Sequence, residues 1–125
     1  MIQVKANKKS FGNWAEKVVC IYLQKQGFKV LVTNYRRPFG EIDVIAQTND
    51  LLVFVEVKAR TDTKLIRPTE LILASKKKKI INTAKDYLMY YDCINDFTIR
   101  FDVALVEGSM KHYSVTYIAN AFQDE

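Results

Sequence analysis

Four charged residues stand in a stretch of the chain whose other residues are mostly apolar: Glu41, Asp43, Glu56 and Lys58. Carboxylates are ligands that Mg²⁺ and Mn²⁺ prefer, and a nearby ammonium can orient a nucleophile or offset charge on a phosphate. A cation held by two carboxylates polarises a phosphoryl oxygen and lowers the pKa of its bound water. These residue types therefore fit the hydrolysis of a phosphodiester, provided that the fold brings them together.

The two runs that carry these residues, GEIDVIAQ and LLVFVEVKAR, are predicted to form a hairpin joined by TND. Residues 49–50, Asn and Asp, can occupy the two left-handed positions of a tight turn. Counting back from a two-residue turn sets Asp43 opposite Glu56 and Glu41 opposite Lys58. Because side chains alternate along a strand, all four charged groups are predicted to share one face of the sheet.

The second strand of this hairpin is predicted to be covered on both faces. Val53 and Val55 are apolar on one face, and Leu52 and Phe54 are apolar on the charged face. Carboxylates in such a place repel each other and lose hydration, at a cost on the order of several kcal/mol per uncompensated ion. We therefore expect a divalent cation to offset this cost. The alternatives are a surface ion pair and a lysine that is only a structural counter-ion.

A first helix is predicted from Phe11 to about Gln26, with Ser10 as its N-cap and Gly27 as its stop. On a helical wheel Glu16 falls at the border of the buried face.

The remaining elements complete the order helix, three strands, helix, two strands. FKVLVTNY is predicted to be a strand ended by Asn34 and followed by the basic turn RRPFG. A second helix is predicted to begin at Pro68 and to run toward Tyr91, with room for a break near Ser75. FTIRFDVALVEG and HYSVTYIANAF are the last two strands. The helix between the third and fourth strands predicts a parallel crossover, and hence a mixed α/β sheet flanked by helices.

The composition predicts one domain over residues 1–125. Nineteen Lys and Arg against fourteen Asp and Glu give a net charge of +5, which favours an anionic partner such as nucleic acid. Two distant cysteines and one histidine are too few for a zinc site, and free thiols would fit a reducing cytoplasm. No window approaches the roughly 18 to 20 apolar residues of a membrane span, so no membrane association is expected.

Motifs along nearly the whole chain resemble those of the YraN family of small endonuclease-like proteins. They are GNWAE, YLQKQGFKVLVTNYR, GEIDVIA, LVFVEVKAR, RPTE ahead of SKKKK, and RFDVALVE. That family is similar to archaeal Holliday junction resolvases of the restriction-endonuclease-like PD-(D/E)xK superfamily.

The resemblance implies a restriction-endonuclease-like sheet of about five strands, order αβββαββ. It also implies an endonuclease that uses Mg²⁺ or Mn²⁺ to hydrolyse DNA, with branched or structured DNA as a candidate substrate, by in-line attack that leaves a 5′-phosphate. Asp43, Glu56 and Glu16 would be the metal ligands, and Lys58 would assist the attack. Resolvase-like relatives commonly act as dimers, so a homodimer is an expected state.

Basic residues at strand ends and loops border the predicted site and could bind phosphates. Lys76 joins them because it resembles a recurring lysine of the family, and the set is Arg36, Arg37, Arg60, Arg67 and Lys76. The loop TDTKLIRP departs from the family pattern, because it lacks the glycine that the resemblance implies shortly before the proline, and this leaves the conformation of the loop beside the site open.

Two acidic residues keep open roles. Glu41 either contacts the metal or pairs with Lys58 or Arg60. Asp102 either caps a turn, pairs with Arg100 or supports the site.

Two other functions fit the same sequence. One is a nucleic-acid-binding module of the same fold without cleavage activity, whose affinity for phosphate would come from Lys and Arg. The other is an interaction or scaffold domain in which the acids form a structural salt-bridge network.

Overall fold

The computed structural model describes residues 8–61, 72–93 and 95–124. Its elements are α1 (Lys8–Lys25), β1 (Lys29–Arg37), β2 (Gly40–Thr48), β3 (Leu51–Arg60), α2 (Ala74–Tyr90), β4 (Thr98–Gly108) and β5 (Tyr113–Phe122). The predicted order αβββαββ is confirmed.

The five strands form one sheet in the order β1-β2-β3-β4-β5. Neighbouring strands are antiparallel except β3 and β4, which run parallel over their full length. A parallel pair needs a long crossover connection, and α2 supplies it. The predicted mixed sheet is therefore confirmed.

Each face of the sheet is covered by one helix. We call these the α1 face, where Ala15, Val19 and Leu23 pack on the strands, and the α2 face, where residues such as Ile80 and Leu88 do so. Burial on both sides explains why β3 is apolar at nearly every position. Within the described ranges no helix has the length and apolar character to span a bilayer.

Helix α1 begins earlier than predicted, at Lys8, so Ser10 lies inside the helix and the N-cap prediction is wrong. Lysine is a good helix former, which allows the helix to extend toward the N-terminus. The predicted stop is confirmed: Gly27 has φ 92°, and the N–H of Phe28 donates to the carbonyl of Leu23 in a Schellman motif.

Helix α2 begins at Ala74, after Leu73, whose backbone is extended at φ −66° and ψ 150°. The predicted start at Pro68 lies outside the described residues. The helix is continuous from Ala74 to Tyr90 and has no break at Ser75.

The sequence predicts that β1 ends at Asn34, but the strand continues to Arg37. Asn34 adopts the left-handed conformation with φ 54° inside the strand, which asparagine tolerates better than most residues. The turn to β2 is correspondingly short, and Gly40 follows it. A side chain at Gly40 would come within 2.5 Å of the Thr83 hydroxyl oxygen, so glycine is required for β2 to approach α2 this closely.

The β2–β3 hairpin has the predicted two-residue turn, with Thr48 paired to Leu51. Only Asn49 of the two turn residues is left-handed, with φ 51°. The prediction of two left-handed residues is therefore wrong for Asp50. The Asp50 carbonyl accepts the N–H of Thr98, which ties the turn to the start of β4.

Candidate active site

The pairing of β2 with β3 ends at Val44 and Val55, one step before Asp43 and Glu56. Beyond this point one carboxylate oxygen of Asp43 accepts the backbone N–H of Val57 at 2.7 Å. The Asp43 side chain thus takes the place of the backbone acceptor that a continuing ladder would offer. It lies between the two strands and close to Glu56, as the register predicted.

The alternation of side chains along β2 is broken at Asp43. Ile42 packs on the α2 face, whereas Val44 packs on the α1 face, although both have the same parity. The left-handed Asn34 of β1 lies between the partners of these two residues, across from Asp43. The prediction that Glu41 shares a face with Asp43 assumed regular alternation, and the structure does not support it.

Glu56 is the most deeply buried acid of the site, with 4 % of its side chain exposed. Its Oε1 lies 3.1 Å from Nζ of Lys76 and 3.9 Å from Nζ of Lys58. Its Oε2 is buried and has no hydrogen-bond partner among the residues that the structure describes. An ionised carboxylate in this position has one oxygen without a partner, which is costly.

Asp43 experiences an excess of negative charge. Burial is the main cause that raises the pKa of Asp43 to about 7, and the charge of Glu56 raises it further. The Val57 N–H opposes these effects, while Glu16 and Glu41 add to them. The charges of three other carboxylates therefore act on Asp43, and that of Glu56 acts most strongly.

Glu16 acts on Asp43 from α1 through its charge, and it is held by a residue to which the sequence patterns did not point. Nδ2 of Asn34 donates a hydrogen bond to Oε2 of Glu16 at 3.0 Å. Glu16 also lines a cleft of about 540 Å³ together with Gly12, Val57 and Arg60. The sequence carries one signal for the special role of Asn34: it is an asparagine within a β-branched run. Asparagine is depleted in strands and can adopt left-handed conformations.

Glu41 pairs with Arg36, its cross-strand neighbour, at 3.2 Å between Oε2 and Nε. Neither of the partners considered from the sequence, Lys58 or Arg60, makes this contact. Both members of the pair are exposed, so the contact contributes little to stability.

The predicted phosphate-binding residues have different environments. Arg37 donates to Asp86 at 2.8 Å, and its guanidinium carbon lies 4.3 Å from the ring centroid of Tyr35, so the fold already engages this side chain. Arg60 borders the cleft beside Glu16. Arg67 lies outside the described residues.

Asp102 is fully buried in β4 and has a structural role. Nε and an Nη of Arg100 donate to its two oxygens at 2.9 Å, Tyr117 donates its hydroxyl, and the N–H of Asn120 donates at 2.8 Å. Asn120 is left-handed in an irregular part of β5. Of the three open roles, pairing with Arg100 is correct, and the carboxylate also caps the irregularity of β5.

No three His, Cys, Asp or Glu side chains in the described part of the chain already form a cluster that could hold a metal ion. Asp43 and Glu56 nevertheless fit a divalent cation in chemistry, because their donors are carboxylate oxygens and one buried oxygen has no partner. The negative charge around Asp43 also favours the binding of a cation at this site. Glu16, whose charge acts on Asp43 from α1, is the third ligand that the sequence predicts.

The chain is similar to proteins of one uncharacterised family. A model of the uncharacterised protein family UPF0102 matches residues 15–106. A UPF0102 protein of Clostridioides difficile (strain 630) is 41 % identical over 116 residues, covering 93 % of this chain and 99 % of the relative. One from Francisella tularensis subsp. tularensis (strain WY96-3418) is 38 % identical over 112 residues, covering 89 % and 92 %.

Among solved structures, the chain is similar to a Holliday junction resolvase from Archaeoglobus fulgidus, an archaeal hyperthermophile. The TM-score is 0.56 at 18 % sequence identity, and the match covers 83 % of this chain and 72 % of the resolvase. At this identity the similarity establishes the fold. The resolvase-like, restriction-endonuclease-like architecture expected from the sequence is thereby confirmed.

Proposed function

Because the chain belongs to the uncharacterised protein family UPF0102, the YraN family, we propose its function from its own site: it is a metal-dependent endonuclease that hydrolyses DNA phosphodiester bonds. One observation carries the proposal. Asp43 and Glu56 are two buried carboxylates at the end of a β ladder, with one oxygen left without a partner among the described residues. Such a pair fits a divalent cation that engages both carboxylates, and the resolvase-like fold makes phosphodiester hydrolysis the reaction that we propose for it.

Each residue of the site has a distinct role in this proposal. Asp43 and Glu56 would hold Mg²⁺ or Mn²⁺, with Glu16 as a further ligand supported by Asn34. When bound, the cation would polarise a phosphoryl oxygen and lower the pKa of a bound water molecule. The Val57 N–H keeps the Asp43 carboxylate in a fixed orientation.

Lys58 is suited to act on the reacting groups. Its ammonium lies 3.9 Å from Glu56, beyond hydrogen-bond distance, and about a third of its side chain is exposed. It can therefore orient the attacking water or offset negative charge on the phosphate without first breaking a short ion pair.

Branched or structured DNA is the substrate class that we propose, because the similar solved structure is that of a Holliday junction resolvase. The net charge of +5 favours binding of a phosphate backbone. Arg36 is exposed, and Arg60 borders the cleft that Glu16 lines, so both lie on the side of the protein where we propose that the phosphate backbone binds. A homodimer would allow two strands to be cut, and this state is also part of the proposal.

A second candidate function is DNA binding without cleavage. It is favoured by the contact of Lys76 with Glu56, since an acid already neutralised by a lysine has less need of a metal. In that case binding should persist when the acids are replaced, because Lys and Arg supply the phosphate affinity. The scaffold alternative predicts no DNA binding at all.

We expect Lys58→Met to reduce the rate of DNA cleavage by about 10²- to 10³-fold, because the group that stabilises developing charge is lost. The rate is measured on four-way, single-stranded and linear duplex DNA in Mg²⁺ and in Mn²⁺. Lys111→Met is the matched control: this lysine is exposed in the turn between β4 and β5, and its substitution changes the net charge equally.

The control should cleave as the wild type does. Equal rates for the Lys58→Met and wild-type proteins would contradict the role of Lys58. Absence of cleavage by the wild type on every DNA would contradict the proposed activity.

A further inference from the structure

Lys76 makes the shortest contact to the most buried acid of the site. Its Nζ lies 3.1 Å from Oε1 of Glu56, closer than the ammonium of Lys58. The second oxygen, Oε2, has no hydrogen-bond partner in the described part of the chain. The lysine therefore compensates one side of the Glu56 carboxylate and leaves the other side uncompensated.

The two partners of this ion pair differ in their freedom to move. Glu56 projects from the central strand β3 with 4 % of its side chain exposed, whereas 41 % of the Lys76 side chain is exposed. Lys76 is the third residue of α2, where the positive end of the helix dipole disfavours a cation. The lysine ammonium can thus be hydrated when it leaves Glu56, whereas the carboxylate stays buried.

A buried carboxylate cannot remain without a counter-charge, because breaking such a pair is strongly destabilising. Lys76 can therefore leave Glu56 only if another cation takes its place. The 3.1 Å ion pair shows that the Glu56 carboxylate is a site that attracts a cation. A lysine and a divalent cation would thus compete for the same carboxylate oxygens.

We infer that Lys76 is the exchangeable counter-ion of Glu56: it occupies the acid when no divalent cation is bound, and it moves to a DNA phosphate when a cation binds. The inference rests on the proposed metal-dependent nuclease function. It makes Lys76 a positioning residue that links two binding events, since the cation frees the lysine for the substrate. Such a linkage raises the affinity for DNA in the presence of metal and, reciprocally, the affinity for metal in the presence of DNA.

The first test measures Mn²⁺ binding by calorimetry in the absence of DNA. Lys76→Met removes the competitor, so we expect this variant to bind Mn²⁺ about 10-fold more tightly than the wild type. Lys78→Met is the control, because this lysine lies on the same helix and its loss changes the net charge equally. Lys76→Gln, whose amide can still donate to Glu56, is the second variant if the Met protein does not fold.

The second test measures how DNA affinity depends on salt, with and without Ca²⁺, using gels to verify that the DNA stays intact. Each phosphate contact made by a lysine adds about 0.9 to the slope of log affinity against log salt. In the wild type and in Lys78→Met, Ca²⁺ should make the slope steeper by about 0.9, which corresponds to one additional phosphate contact. In Lys76→Met, Ca²⁺ should leave the slope unchanged.

The inference requires both results: tighter Mn²⁺ binding by Lys76→Met, and a salt slope in that variant that Ca²⁺ does not change. An unchanged Mn²⁺ affinity in Lys76→Met, or a steepening with Ca²⁺ that survives the substitution, overturns the exchange while leaving the proposed nuclease intact. If neither the wild type nor Lys76→Met binds Mn²⁺, the proposed metal site and the exchange both fall. Neither test measures cleavage, so these cases are distinguishable.

Discussion

At pH 8 and without divalent metal, the Asp43→Asn protein is expected to be more stable than the wild type, by about 1–3 kcal/mol. The asparagine side chain would carry no charge among the neighbouring acids, and its amide oxygen could still accept the Val57 N–H. The folded pKa of Asp43, about 7, lies above its unfolded value of 3.8. The folded wild type therefore binds more protons than the unfolded chain between these pH values.

This difference determines the sign of the pH dependence. Because Asp43 takes up a proton on folding, its contribution to the free energy of unfolding is complete below about pH 4 and is lost as the pH rises toward 7. The Asn variant should lack this decline. Urea unfolding curves of both proteins from about pH 4 to about pH 8 measure the effect.

Divalent metal should offset most or all of this difference in stability. At about 100 times its Kd, Mg²⁺ would stabilise the wild type by about 2.7 kcal/mol through mass action. Asp43→Asn should lose this gain, because a neutral amide is a much weaker ligand for Mg²⁺ than a carboxylate. Asp50→Asn, which replaces an exposed acid of the hairpin turn, should retain the gain. Equal Mg²⁺ stabilisation of the Asp43→Asn and wild-type proteins would exclude Asp43 as a ligand.

The second large effect is expected at Asp102, which lies outside the proposed metal site. Asp102→Ala should lower the free energy of unfolding by about 3 kcal/mol, because it removes the acceptor of four hydrogen bonds and leaves the Tyr117 hydroxyl without its partner. Part of the Arg100 side chain is exposed, so water can compensate this group. Chemical unfolding at neutral pH is the measurement.

Asp96→Ala serves as the comparison, since this acid is exposed in the connection from α2 to β4. Its free energy of unfolding should stay within about 0.5 kcal/mol of the wild type. A similarly small change for Asp102→Ala would show that the Asp102 network does not stabilise the fold as described. Mn²⁺ affinity should be unchanged in a folded Asp102 variant.

The fold and the hairpin register could be predicted because they depend on local patterns. Apolar periodicity indicates helices and strands, and two turn-forming residues between β-branched runs fix which residues pair. Thr48 pairs with Leu51 as counted, and this register brings Asp43 close to Glu56. The parallel crossover followed from the length of the connection between β3 and β4.

The details of the site depend on departures from those patterns. The alternation that placed Glu41 beside Asp43 fails because the left-handed Asn34 disturbs the neighbouring strand. The sequence predicts a strand end at Asn34, and nothing in that pattern indicates the contact of Asn34 with Glu16. The contact of Lys76 with Glu56 depends on how α2 packs across the sheet, which the sequence does not determine.

The most direct test of the central claim compares single-turnover cleavage of four-way DNA by the wild type and by Glu56→Gln. This substitution preserves the shape of the side chain and removes its charge. We predict Mg²⁺-dependent cleavage that leaves 5′-phosphates for the wild type, and a rate at least about 100-fold lower for Glu56→Gln. Equal rates for the two proteins, or no cleavage by the wild type in either Mg²⁺ or Mn²⁺, would contradict the claim.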